Sequence, residues 1–180
     1  MTDETPIVIP VIETSRLILR GLRESDAETY ARWVADPSVM EHMGHGKTLN
    51  ADEAWRKLAF LVGHWQLRGY GQWAVEEKAT GQMIGRAGLH HPHGWPGIEV
   101  GWLVDPDCWG KGFAAEAGHA AADWGFRELG LESLVSVIKP ENAPSIRVAE
   151  KIGERFLRND QIGDIPVLIY GVSREEFLKT

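Results

Sequence analysis

Cysteine is nearly absent: Cys108 is the single one in 180 residues. That excludes an intramolecular disulfide and any multi-cysteine zinc site, and it fits a reducing compartment. Long apolar runs are missing too, since none approaches the roughly 18 residues that a membrane helix needs. The first residues, MTDETPIVIPVIETSR, carry acids where a secretory signal needs bases, and Pro6 and Pro10 interrupt the apolar stretch. A cytoplasmic protein without a membrane partner is expected. Basic charge is in deficit, with Lys+Arg 19 against Asp+Glu 26 and a formal net charge of -7. A broad phosphate-binding face needs clustered Lys and Arg, so no nucleic-acid partner is expected. Repeats and Ser/Gly linkers do not occur. The length suits one domain over 1–180, with an irregular lead-in at 1–14.

Tryptophan is what the chain has in excess, with 8. Such large residues concentrate in cores and binding sites. The spacing of apolar residues predicts mixed elements. Arg16–Arg20 reads as a strand. Ser25 and Glu28 have capping-box spacing before a helix that ends near Ala35, ahead of Pro37. A Gly-rich loop follows at 42–50. Asn50 and Glu53 open a helix with Trp55, Leu58, Val62 and Trp65 as its expected apolar stripe, ending near Gly69. Gln72–Glu77 and Met83–Leu89 read as a hairpin turning at Thr80-Gly81. Strands are also expected at Ile98–Val104, Leu134–Ile138, near Phe156 and at Val167–Val172. Helices are expected at Phe113–Leu129 and from Asn142 to Ile152, stopping at Gly130 and Gly153.

The strongest local signal is Trp109-Gly110-Lys111-Gly112-Phe113-Ala114, between a strand and a helix. Glycines allow unusual backbone angles and close approach. Free amides at a helix start favour an anion, and a diphosphate fits this chemistry. A Gly-rich turn without a ligand has the same local string. A Walker A loop fails, because Asp105 and Gly112 stand where it needs Gly and Ser/Thr. A dinucleotide fingerprint is satisfied by Gly110, Gly112 and Ala115, but five residues separate it from the strand end. An oxidoreductase of that kind is one rival reading.

Three ordered stretches resemble the GNAT acyltransferases, in the branch of the ribosomal-protein N-terminal acetylases. They are Glu99-Val100-Gly101-Trp102-Leu103-Val104, then Trp109 to Ala117, then Asn142-Ala143-Pro144-Ser145-Ile146-Arg147 with Glu150-Lys151-Ile152-Gly153. The resemblance runs from Thr14 to the last strand. It implies an α+β fold: a predominantly antiparallel mixed sheet flanked by helices, with a strand–Gly loop–helix–strand cofactor core. It also implies acetyl-CoA as cofactor and an amine acceptor. Trp109 stands where the family usually has Gln or Arg. Backbone from Trp109, Gly110, Lys111, Gly112, Phe113 and Ala114 would hold the pyrophosphate, with Lys111 able to reach it as a point charge. Leu103 and Val104 match the positions that bond the pantetheine arm and polarise the thioester. Asn142 and Ser145 match positions near the arm or sulfur, although both also suit a helix cap.

The implied reaction is direct attack of an amine, which must first lose a proton to a base. Glu99 is the first candidate, with His90, His91 and His93 as alternatives. His-His-Pro-His has no standard metal-ligand spacing, so no metal is expected. Ala149 stands where many relatives carry an acid Tyr, which leaves Ser145 or solvent to meet the thiolate. Cys108 lies near an electropositive helix start that would favour a thiolate, but an incidental loop residue is what is expected there. The 42–50 loop, Trp73, the 90–97 loop including His90, and Trp102 are expected to line the acceptor pocket. The net acidic charge would attract a cationic acceptor such as a protein N-terminus, a polyamine or an aminoglycoside. Oligomeric state is open between monomer and homodimer. A non-catalytic acyl-CoA-binding module is the other rival.

Overall fold

A strand covered on one face alternates buried and exposed residues, as Ser133–Ile138 does, whereas residues 72–75 and 84–89 are buried without a break, as strands covered on both faces are. The computed structural model describes residues 8–179. Its strands are β1 (Ile12–Glu13), β2 (Leu17–Arg20), β3 (Gln72–Glu77), β4 (Gln82–His90), β5 (Glu99–Val104), β6 (Ser133–Ile138), β7 (Arg155–Ile162) and β8 (Ile165–Ser173). They form one sheet in the order β1-β2-β3-β4-β5-β6-β8-β7. Every pairing is antiparallel except β5 with β6. The helices are α1 (Ala27–Val34), α2 (Pro37–Met40), α3 (Ala51–Arg68), α4 (Phe113–Arg127), α5 (Ala143–Ile152) and α6 (Arg174–Phe177). The expected mixed sheet with its strand–Gly loop–helix–strand core is therefore the observed one. Part of the lead-in is a strand, β1, and its first seven residues lie outside the described residues.

α4 lies on one face of the sheet. Ala117, Ala121 and Ala122 there are fully buried beside Leu89 and Val100. Their small side chains, with Gly125, let the helix axis approach the strands closely. A Cβ on Gly125 would sit 3.0 Å from Leu89 Cδ1. α1 and α3 build a second apolar cluster through Tyr30, Trp33, Leu58 and Leu61. Asn50 and Glu53 cap α3 reciprocally, each bond 2.9 Å.

Three local expectations change. The capping box at Ser25 and Glu28 does not form. Asp26 instead takes the Arg23 N–H at 2.8 Å and both arms of the buried Arg20 at 2.9 Å. A buried guanidinium needs a carboxylate, and that need overrides the local cap. The buried stripe of α3 is Ala54, Leu58, Leu61, His64 and Trp65. Trp55 and Val62 face outward, because α1 and β3 cover the neighbouring stripe. Trp73, expected at the acceptor wall, is fully buried. It packs edge-on against Trp65 (4.8 Å) and Trp124 (5.1 Å), and its indole donates to Pro10 O at 2.8 Å. Its place is the core.

The parallel pair β5–β6 is the feature that positions the site. Its only paired residues are Glu99 and Val135. Beyond them the strands diverge and leave the upper edge of β5 open.

Candidate active site

The cradle begins with a fixed loop. Asp105 accepts from Asp107 N–H (3.0 Å) and from the Trp33 indole (2.6 Å), tying the loop to α1. Gly110 and Gly112 then adopt φ of 75° and 81°. Gly112 is the N-cap of α4 and has no side chain to accept from its first-turn amides. The first helical bond is Glu116 N–H to Gly112 O (3.1 Å), so the amides of Phe113, Ala114 and Ala115 precede it and have no helical acceptor. They remain available to an anion, favoured by the helix dipole.

Glu116 holds this end of α4 from behind. It accepts from Thr14 Oγ1 (2.6 Å), Arg16 N–H (3.0 Å) and Arg16 Nε (2.6 Å). Burial opposes its charge, but these bonds hold the carboxyl below its usual range. Arg16 also donates to Lys111 O at 2.9 Å and lies 4.5 Å from the centre of the Phe113 ring. Lys111 thus contributes its carbonyl to the cradle's support, and its residue is not part of the cleft wall.

A cleft of about 490 Å³ runs from the cradle along β5 to α5. Its walls include Trp109, Gly110, Gly112, Phe113 and Ala114 on one side and Asn142, Ser145, Arg147 and Lys151 on the other. Alternation decides which backbone groups of β5 face it. Asp105 N–H donates to Ile84 O (2.8 Å), so the odd residues of β5 bond β4. The even residues turn to the other edge. There Val135 N–H reaches Ile98 O (3.0 Å), Ser136 Oγ reaches Val100 O (2.8 Å) and the Trp109 indole reaches Val104 O (2.8 Å). The N–H groups of Trp102 and Val104 and the Trp102 carbonyl are left for a ligand. Leu103, expected to bond the cofactor arm, directs its backbone to Arg86 of β4 and offers the cleft only its side chain. The amides on the open edge are those of Trp102 and Val104.

A second cleft, of about 290 Å³, meets the first at Trp102, Asn142 and Ser145. Glu99 lies in it. Its Oε2 accepts from the Trp95 indole at 2.7 Å. Loss of solvent around the carboxyl raises its pKa to about 7, against the opposing pull of Trp95, Val137 N–H, Arg86 and Lys57. A Cβ on Gly101 would press on Gln72 Nε2 at 3.2 Å and touch Glu99 Oε1 at an ordinary 3.5 Å. His90 lines the same cleft, stacked on His64 at 5.3 Å. Burial, then the charges of Arg86 and Lys57, push its pKa down to about 3. It is therefore a neutral wall and a poor base. His91 and His93 line neither cleft.

Ser145 sits where the clefts join. Its Oγ accepts from the Trp102 indole at 3.3 Å, and its N–H donates to the Asn142 cap at 3.1 Å. The capping role of Asn142 is thus real, and both residues also line the two clefts. Ala149 is fully buried in α5, and neither cleft has a tyrosine in its wall. Burial raises the Cys108 thiol pKa, which opposes a thiolate there.

Glu154 was not singled out by the sequence. It follows the Gly153 helix stop and is only 4% exposed, yet neither carboxyl oxygen has a hydrogen-bond partner. Neighbouring Ser136 spends its hydroxyl on Val100 O. Burial raises the Glu154 pKa to about 8, and the charge of Glu99 adds to it. A carboxyl raised in the folded state destabilises the fold above its unfolded pKa, near 4.5, and the cost grows until pH reaches the folded value. Glu154→Gln should therefore stabilise the protein by roughly 1–3 kcal/mol at pH 8 and hardly at all at pH 4.5. Urea unfolding at the two pH values checks this; an equal effect at both would refute it.

An amide cradle, an open strand edge and a desolvated carboxyl across the junction describe a group-transfer enzyme with an anionic, amide-bearing cofactor. Comparison with known proteins agrees. The sequence model of the acetyltransferase (GNAT) domain matches residues 16–155. YkkB of Bacillus subtilis (strain 168) is 31% identical over 165 residues, 87% of this chain and 92% of YkkB. The crystal structure of an acetyltransferase from Agrobacterium tumefaciens str. C58 has 32% identity and a TM-score of 0.83, covering 96% of this chain and 99% of its own. A ribosomal-protein-S5-alanine acetyltransferase from Vibrio fischeri shares the fold, with a TM-score of 0.75 at 17% identity over 94% of this chain and 99% of its own. The chain belongs to the GNAT acetyltransferase family. It is an acetyl-CoA-dependent N-acetyltransferase.

Proposed function

We propose that the enzyme acetylates a primary amine, on a small molecule or at a protein N-terminus, with Glu99 as the general base. The supporting observation is Glu99 itself: a desolvated carboxyl with pKa about 7, held by Trp95 in the cleft that joins the cofactor cleft at Ser145. Bound acetyl-CoA supplies an acyl thioester, whose C–S bond breaks as the amine's C–N bond forms. The glycines and first-turn amides of α4 fit its diphosphate, and Arg147 and Lys151 add positive charge to that cleft. The open N–H groups of Trp102 and Val104 fit its amide-bearing arm, as a peptide adds to a strand edge. One of them is also placed to stabilise negative charge on the reacting oxygen.

Glu99 takes the proton that an ammonium must lose before its nitrogen can bond to carbon. Ser145, with its Oγ lone pair occupied by Trp102, can donate its hydroxyl hydrogen toward the departing sulfur. The experiment is release of free CoA thiol from acetyl-CoA with a panel of amines. Amine-dependent release is expected. Absence of release with every amine tested, although acetyl-CoA binds, would defeat the reading.

A further inference from the structure

The acceptor cleft holds charge that proton transfer alone does not require. Among its wall residues Lys57, Arg86 and Lys139 are cations, and Glu99 is the only carboxylate. Arg86 is 5% exposed. It donates to Gln72 Oε1, and its Nε is buried with no hydrogen-bond partner. The other buried arginine among the described residues, Arg20, is held by Asp26 and Glu76 at 2.9 Å each. Arg86 has no such carboxylate. Glu99 attracts it from within the cleft but does not bond it, so this buried guanidinium keeps hydrogen-bonding capacity for an anion from outside the chain.

Lys57 points into the same cleft from α3, its ammonium 4.7 Å from the centre of the Phe60 ring. Burial and then repulsion by Arg86 depress its pKa, and Glu99 only partly offsets them. Two cations therefore face one space in which Glu99 is the only carboxylate, and that one charge is shared between them. Lys139 sits at the wall with its ammonium on Glu41 O at 2.8 Å. Whatever the whole chain's charge of -7 does at long range, the cleft itself is locally positive.

We infer that Arg86 and Lys57 form a subsite for an oxyanion, so that the acceptor is a small amine bearing a carboxylate or phosphate group. The guanidinium fork suits such a group, and Lys57 adds a point charge. Glu99 takes the amine end of the same molecule. A cleft of about 290 Å³ suits a compact molecule. Polyamines and aminoglycosides are disfavoured, because their extra charges would meet Lys57, Arg86 and Lys139. This inference rests on the acetyltransferase reading above.

The test uses the full chain loaded with CoA, titrated calorimetrically with matched probes. L-leucine is compared with leucinamide, and phosphoethanolamine with ethanolamine; spermidine is the polycation. Thiol release gives KM and kcat for the same set. At least tenfold tighter binding of one anionic probe than of its neutral counterpart is expected, and the pair that shows it distinguishes carboxylate from phosphate. In Arg86→Gln that preference should vanish, with KM of the anionic probe rising toward that of its neutral counterpart, whereas any change in kcat from losing the charge near Glu99 falls equally on both members of a pair. If Arg86 merely tunes Glu99, anionic and neutral probes will change by the same factor and the preference will persist in the variant, which would overturn the inference. Equal binding within both pairs, preference for spermidine, or binding of neither anionic probe would overturn the inference. Failure of acetyl-CoA to bind would instead defeat the reading beneath it.

Discussion

Glu99→Gln should lower kcat/KM by roughly 10²–10⁴-fold at pH 8, the usual contribution of a positioned general base. Acetyl-CoA affinity should not change. The substitution keeps an oxygen that can accept from Trp95, whose bond at 2.7 Å orients the side chain. What it removes is a carboxylate with pKa about 7. The base works only when ionised, so activity of the native enzyme should rise with pH through about 7 and then level off. Glu99→Gln should lose that limb. His90 cannot replace it in this range, since it has already lost its proton well below neutrality and is too weak a base. Turnover equal to the native rate, with the acidic limb retained, would remove Glu99 from the role.

The second large effect concerns the cradle. Gly110→Val or Gly112→Val should weaken acetyl-CoA binding at least 100-fold. Both glycines have left-handed backbone, at φ 75° and 81°, where a β-branched residue costs about 1–2 kcal/mol. The space around them is otherwise permissive. A Cβ on Gly110 meets nothing within 4 Å, and one on Gly112 comes no closer than 3.5 Å to Arg16. The fold should therefore survive, with the damage falling on the amides that face the cleft. A native circular dichroism spectrum with lost calorimetric binding is the expected result. Unchanged affinity would place the diphosphate elsewhere.

Much of this site is written in short stretches of chain. Gly110, Gly112 and the helix start after them sit within one loop, so their spacing alone points to an anion cradle. Asn142 and Ser145 likewise form a local cap that also lines both clefts. Glu99 was recognisable as the carboxylate at the start of β5, although its desolvation depends on Trp95 and on β6. Features that depend on distant strands were not legible. Alternation along β5 is set by its pairing with β4, so the choice of Trp102 over Leu103 required the register. Trp73 looks like a site residue in a strand segment, but Trp65 and Trp124 from two helices enclose it. The Glu116 anchor joins residues about 100 positions apart. Arg86 and Lys57 lie on a strand and a helix with nothing local to pair them. The acceptor's chemistry was not legible from net charge for that reason: overall charge is a property of composition, and the charge of a cleft is a property of topology.

On the proposed reading, the cradle and the open edge of β5 hold acetyl-CoA. Calorimetric titration of acetyl-CoA into the native protein tests it most directly. Saturable one-to-one binding is predicted, with Kd between roughly 1 μM and 1 mM, the range in which enzymes usually hold their substrates. No saturable heat at cofactor concentrations of about 1 mM and above would contradict it.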